Sequence, residues 1–182
     1  MSRKYKFRDQ NATYFVSFAT VYWLDIFTRP GYKNILVDAI NYCIKNKGLI
    51  VYGWCIMTNH VHMIIPTEDE KLQDIIRDLK GYTSREIIKA ISENQQESRR
   101  EWLLWMMNRA GQKNGNNKKY QFWQQHNQPI VLHNTDIFEQ KLNYIHNNPV
   151  EEGFVENPED YPYSSAKDYM GIRGLVYVTL PG

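Results

Sequence analysis

Trp54-Cys55-Ile56-Met57-Thr58-Asn59-His60-Val61-His62-Met63-Ile64-Ile65 is the stretch whose reading decides the fold. Apolar residues run into a turn-like Thr58-Asn59, and a second apolar run follows until Pro66 stops it. Aliphatic and β-branched residues dominate that second run, so it reads as a strand. Side chains alternate faces along a strand, which puts His60 and His62 on one face with Cα atoms roughly 7 Å apart. Val61 and Met63 then face the opposite way, into a core. Two imidazoles on one face can share a divalent cation between their tips. The spacing supplies only two ligands, so a third must come from elsewhere in the chain.

Working outward, Leu49 to Met57 reads as a strand paired antiparallel with His60 to Ile65 through a tight turn at Thr58-Asn59. Thr13 to Thr20 reads as an earlier strand with both faces partly covered, since Tyr14, Val16 and Phe18 lie opposite Phe15. After a loop at Arg29-Pro30-Gly31, Ile35, Leu36, Ala39, Ile40, Cys43 and Ile44 recur at helical spacing, and Gly48 ends that helix. Leu72, Ile75, Ile76, Leu79, Tyr82, Ile87, Ile88 and Ile91 mark a second amphipathic helical region, with Gly81 a candidate bend. Glu93 to Glu101 reads as a polar connector and Trp102 to Met107 as a short helix. Residues 108–119, rich in Gly and Asn, read as a flexible loop. Tyr120 to Trp123 and Ile130 to Leu132 read as short extended pieces. Asp136 to Asn147 is the last clear helix, capped by Asn134 or Thr135; Pro149 pushes Asn148 out of the αR region and stops it there. Residues 156–182 form a tail with a short helix from Ser164 to Tyr169. Strand, helix, strand, strand, helix predicts an α+β antiparallel sheet with helices packed on one face.

The 182 residues are enough for one domain spanning 1–182, and 42% hydrophobic content argues against disorder. No apolar run approaches the roughly 20 residues that span a bilayer, so no membrane partner is expected. The basic N-terminus lacks an apolar h-region and is not a secretory signal. Cys43 and Cys55 form neither a disulfide framework nor a zinc cluster, and read as buried thiols of a cytoplasmic protein. Net charge is only +2, but its distribution is uneven. Arg3, Lys4, Lys6 and Arg8 crowd an N-terminal arm (1–12) and alternate with Tyr5 and Phe7; Arg99 and Arg100 form a pair; Lys113, Lys118 and Lys119 form a third group. Cations interleaved with flat rings suit phosphates and unpaired bases. A solvated surface over an aromatic-rich core accounts for the same composition.

On the late helix, Ile137, Lys141, Tyr144 and Asn148 share one face, and Phe138, Leu142 and Ile145 form an adjacent apolar row able to pack on the sheet. Docking that row brings Tyr144 and Asn148 toward His60 and His62. The Asn148 carbonyl suits a third ligand position for Mg²⁺ or Mn²⁺. A phenol with a pKa of about 10 is a weak nucleophile at neutral pH, and a metal that polarises a phosphate oxygen lowers the demand on it. Lys141, one turn away, is placed to favour the phenolate or to hold a phosphate. These parts fit attack of a tyrosine on a DNA phosphodiester, forming a phosphotyrosine and expelling a 3′-hydroxyl. The covalent link retains the bond energy, so strand transfer needs no ATP. Each part also has a plain reading: His-x-His is a short pattern, Asn147-Asn148-Pro149 stops a helix, and Tyr144 packs an amphipathic face. His126, His133 and His146 read as surface or cap histidines, with His126 a candidate for lining the cleft.

Taken together, Met57-Thr58-Asn59-His60-Val61-His62-Met63-Ile64-Ile65 and Tyr144-Ile145-His146-Asn147-Asn148-Pro149-Val150-Glu151-Glu152-Gly153-Phe154-Val155 strongly resemble the REP-associated tyrosine transposases. These belong to the HUH (His-hydrophobic-His) single-strand endonuclease superfamily, beside the single-tyrosine insertion-sequence transposases. Tyr161-Pro162-Tyr163-Ser164-Ser165 resembles the same family's tail motif, and the resemblance runs from about Tyr14 to Tyr169. It implies a ferredoxin-like (RRM-like) sheet, a Mg²⁺ or Mn²⁺ site with His60 and His62 as paired ligands and Asn148 as third, and Tyr144 as nucleophile. It implies single-stranded hairpin DNA, as in repetitive extragenic palindromes, as substrate, a covalent 5′-phosphotyrosine intermediate, and a monomer or homodimer. Lys141, Arg3, Lys4, Lys6, Arg8, Lys118 and Lys119 are the candidate DNA- or phosphate-binding cations. Tyr82 is a competing tyrosine, ranked lower because its neighbours offer no ligand one helical turn away. The alternatives are a non-catalytic single-stranded nucleic-acid-binding module on the same fold, and a metal-dependent hydrolase using water.

Overall fold

A computed structural model of the chain describes residues 7, 9, 11–68, 71–113, 115 and 119–181. Its organising strand is β3 (His60–Ile65), with the bounds that the apolar run and Pro66 set. On one side β3 pairs antiparallel with β1 (Tyr14–Ala19), in a register that puts Ser17 opposite His62 and Ala19 opposite His60. On the other side it pairs with β2 (Gly53–Ile56), Cys55 opposite His62. A short β4 (Ile130–Val131) extends the far edge of β1, giving the order β2-β3-β1-β4. This is an α+β, ferredoxin-like sheet.

Alternation sorts the side chains into two layers. Tyr14, Val16, Phe18, Val61, Met63 and Ile65 point into the main core, under α1 (Pro30–Lys47) and α2 (Leu72–Glu93). Burial of side chains such as Val61, Met63 and Ile65 contributes about 1.5–3 kcal/mol each. Phe15, Cys55 and Ile64 point the other way, against Leu142 and Ile145 of α4 (Thr135–Glu151). The expectation of helices on one face therefore holds for α1 and α2, and α4 lies on the other. The physical reason is that β1 is apolar on both faces, so the second face needs its own cover. Gly53 allows the close approach: a Cβ there would meet Leu142 Cδ1 at 2.8 Å.

Several boundaries differ from the sequence reading. Pro30 begins α1 rather than lying in a loop, because a proline at the first helical position loses no helical hydrogen bond. Gly48 ends that helix in the left-handed conformation, φ 66°. Gly81 does not interrupt α2. The helix expected at Trp102 to Met107 is α3 (Arg100–Gln112), so the expected 108–119 loop is helical as far as Gln112. Gly111 continues α3 because the chain returns tightly over it; a Cβ there would meet the Lys119 carbonyl at 2.6 Å. α4 does not stop at Asn148 but passes through Pro149 to Glu151. Both residues are buried there, and that packing outweighs the one hydrogen bond that proline forfeits.

The C-terminal segment is not a loose tail. Ile56 N–H donates to the Tyr163 carbonyl, Ser165 N–H to the Trp54 carbonyl, and Tyr161 Oη to the Ile56 carbonyl. The Tyr161-Pro162-Tyr163-Ser164-Ser165 run thus closes the otherwise open edge of β2, and α5 (Ala166–Tyr169) follows it. Arg3, Lys4, Lys6, Arg8 and Lys118 lie outside the described residues. Among the described residues, no helix is long and apolar enough to cross a membrane.

Candidate active site

His60 and His62 leave β3 on the α4 face, ring centroids 4.7 Å apart. His62 is buried, only 4% exposed, with its ring stacked on Phe15 at 5.5 Å. Burial first, and then the positive charges of His60 and Lys141, push the His62 pKa down to about 3. His60 is half-buried, and burial lowers its pKa too, partly opposed by the Glu152 carboxylate and a hydrogen bond to the Asn148 side chain. Both rings are therefore neutral at pH 7, the form in which imidazole ligates a metal.

α4 delivers the remaining groups. Asn134 caps it, its side chain accepting from Ile137 N–H at 2.9 Å, and Leu142 and Ile145 fix its rotation on the sheet. One turn apart along that seam, the exposed Tyr144 and the buried Asn148 reach the histidines. Tyr144 Oη lies 3.5 Å from His62 Nε2, and the two rings meet edge-on at 5.1 Å. The phenol stays 40% exposed, so an incoming strand has access to it. Lys141 holds its ammonium 4.9 Å from the Phe15 centroid and 5.6 Å from the Tyr144 centroid. The structure thus brings together His60, His62, Asn148, Tyr144 and Lys141. Lys119 is exposed, with its ammonium over the Tyr120 ring at 5.0 Å.

Asn59 is a site residue that the sequence reading treated only as a turn. Its Nδ2 donates to Asp25 Oδ1 at 2.9 Å, and its Oδ1 sits 2.8 Å from His60 Nδ1. A carboxylate can only accept, so Asp25 fixes the amide's orientation. The amide oxygen can then only accept from His60, which puts the hydrogen on Nδ1 and makes Nε2 the nitrogen that carries the lone pair. His62 has no such tether, and its Nδ1 is buried without a hydrogen-bond partner. Phe15 and Glu152 are likewise additions: Phe15 arrives through the register of β1 with β3, and Glu152 lies four residues beyond Asn148.

Among the described residues, no three His, Cys, Asp or Glu side chains are grouped to hold a metal. The donor set on offer is two neutral imidazoles and the Asn148 amide, a set able to hold a divalent cation with further positions left for phosphate oxygen and water. The competing Tyr82 is 49% exposed on α2, over the opposite face of the sheet, where it lines a cavity of ≈ 540 Å³ with Tyr42, Cys43 and Asp78. His146 is tied by Nε2 to Ser165 Oγ at 2.8 Å, joining α4 to the segment along β2 rather than serving as a surface histidine. His126 and His133 are exposed.

The family model described as Transposase IS200-like matches residues 9–108, more than half of the chain. The chain belongs to the IS200-like transposase family. It is an enzyme of the HUH transposase type. It is 29% identical over 157 residues to the "Putative REP-associated tyrosine transposase" of Haemophilus influenzae, covering 80% of this chain and 78% of that one. Its fold is similar to the solved structure of a REP-associated tyrosine transposase bound to a REP hairpin, with a TM-score of 0.66 and 17% identity, over 98% of this chain and 92% of that one. The IS200-like match contains His60 and His62 and ends before Tyr144 and Asn148.

Proposed function

We propose that this transposase cuts and rejoins single-stranded hairpin DNA through a covalent 5′-phosphotyrosine on Tyr144, with Mg²⁺ or Mn²⁺ held by His60, His62 and Asn148. The observation that carries the reading is the 3.5 Å approach of the Tyr144 phenol to His62 Nε2, inside a constellation of neutral imidazoles and a nearby ammonium. A bound divalent cation would polarise the scissile phosphate. His62, wedged between Phe15 and Tyr144, fixes where that phosphate sits, and Lys141 is placed to hold one of its oxygens. Tyr144 Oη forms the bond to phosphorus as the bond to the 3′-oxygen breaks. The phenol gives up its proton and the departing 3′-oxygen gains one, so no net proton is consumed. A 3′-hydroxyl from another strand reverses the step and frees the tyrosine. The relative seen with a REP hairpin supports a hairpin as the substrate here. The single domain, including the N-terminal arm, would act in the cytoplasm, where the two buried thiols stay reduced.

Incubation with hairpin oligonucleotides and Mn²⁺, followed by a denaturing gel, tests the proposal. The wild type should give a shifted protein–DNA band that needs the metal. Tyr144→Phe should lose that band by at least about a thousandfold while still binding the hairpin. Hairpin binding with no adduct from the wild type in either Mg²⁺ or Mn²⁺ would favour a non-catalytic binding module. Normal cleavage by Tyr144→Phe would remove the tyrosine mechanism.

A further inference from the structure

Beside the histidine pair the backbone does something costly. Tyr22 and Trp23 follow one another with φ 54° each, in the left-handed region that bulky side chains rarely enter. Neither is rewarded by burial: Tyr22 is 44% and Trp23 57% exposed. Their neighbours Val21 and Leu24 are buried, so the turn anchors its two ends and pushes its two rings outward. The anchoring is tight. Thr20 N–H donates to the Asn59 carbonyl, the Thr20 hydroxyl donates to the Leu24 carbonyl at 2.8 Å with the Asn59 carbonyl 3.1 Å away, and Val21 N–H donates to the Phe122 carbonyl. Asn59 is the residue that holds His60, so the turn and the site are fixed to one another. The Trp23 ring meets the His60 ring edge-on at 6.0 Å. On the far side, the Lys113 ammonium at the end of α3 lies 6.0 Å from the Tyr22 centroid.

We propose that Trp23, with Tyr22 beside it, is a stacking platform for an unpaired base of the DNA strand next to the scissile phosphate. A rigid, exposed aromatic pair flanked by a cation suits a single strand, because every base has a π-face and every linkage a charge. A base inside a duplex has both faces covered by its neighbours, so the occupant is unpaired. Strain held in an exposed turn with no packing return is consistent with a preformed binding surface. The proximity of Trp23 to His60 places the stacked base within about one nucleotide of the reacting phosphate. This rests on the reading of His60 and His62 as the reaction centre.

The test compares hairpins with and without single-stranded flanks, on both the 5′ and the 3′ side, bound to the Tyr144→Phe protein so that cleavage does not intervene. A flank carrying 2-aminopurine reports stacking by loss of fluorescence. The wild-type platform should bind the flanked hairpin about tenfold or more tighter than the blunt one and quench the probe. Trp23→Ala should remove that gain and the quenching while leaving blunt-hairpin affinity unchanged; Trp23→Phe should retain most of both. Equal weakening on flanked and blunt hairpins, or full quenching in Trp23→Ala, would overturn the platform. Flank-dependent quenching, alongside a wild-type protein that forms no adduct in either Mg²⁺ or Mn²⁺, would uphold the platform and sink the cleavage mechanism instead.

Discussion

Val61, Met63 and Ile65 point from β3 toward α1 and α2, while His60, His62 and Ile64 point from the same strand toward α4. The first face is closed, with the buried Trp54 indole N–H its one group without a partner among the described residues. Even its half-buried cation, Lys80, donates to the Gln124 carbonyl and to Asn127 Oδ1. The second face is left open: His62 Nδ1 has no partner, the Tyr144 hydroxyl is half in solvent, and two imidazoles crowd together. The contrast teaches that one strand can hold stability on one side and reactivity on the other, with a period of two residues separating them.

The comparison breaks most visibly by truncation on each face. Met63→Ala should cost about 2–5 kcal/mol of stability by leaving a cavity. His60→Ala, on a half-exposed ring, should cost less than about 1 kcal/mol and yet abolish Mn²⁺ binding. Chemical unfolding and calorimetry measure both, and similar stability losses at the two sites would erase the distinction. Next in size is the seam under α4. Gly53→Ala drives a methyl group into Leu142 Cδ1 and should cost about 1–3 kcal/mol. It should also slow adduct formation, because α4 carries the proposed nucleophile Tyr144; unchanged stability would mean that Leu142 simply turns aside.

Smaller still is the tether of the half-buried His60. Asp25→Ala should weaken Mn²⁺ binding about tenfold by releasing the Asn59 amide, with unfolding changed by less than about 0.5 kcal/mol. Nitrogen-15 shifts of His60 in the metal-free protein should show Nδ1–H in the wild type and a mixture in the variant; identical spectra would rule the tether out. The closed face is tested by pH instead. Burial holds the Lys80 pKa down at about 8, against 10.5 in its ordinary state. Between those values the unfolded chain binds more protons, so the stability this lysine contributes is fully present above about pH 10.5 and lost as pH falls to about 8. The stability difference between wild type and Lys80→Met should change across that window and stay flat below it. A difference that is flat throughout would contradict the burial of the charge.

Much of this arrangement was legible in the residues. The alternation from His60 to Ile65 fixes which side chains share the site, and the i, i+4 row on the late helix places Tyr144 and Asn148 together. Asn134 announces the start of α4. The helix end was misread, because Pro149 carries a local rule that tertiary burial overrides; with it went Glu152, one turn past Asn148. Asn59 was hidden for another reason. Its meaning comes from Asp25, 34 residues earlier, and no local pattern encodes which way an amide points. The Phe15 stack depends on strand register, and the outward turn of Tyr22 and Trp23 on contacts with residues 59 and 122.

The most direct test is to isolate the protein–DNA adduct formed with hairpin DNA and Mn²⁺, digest it, and locate the nucleotide-bearing peptide by mass spectrometry. The account predicts a single phosphodiester on Tyr144; a nucleotide on Tyr82, or on any other residue, would contradict it.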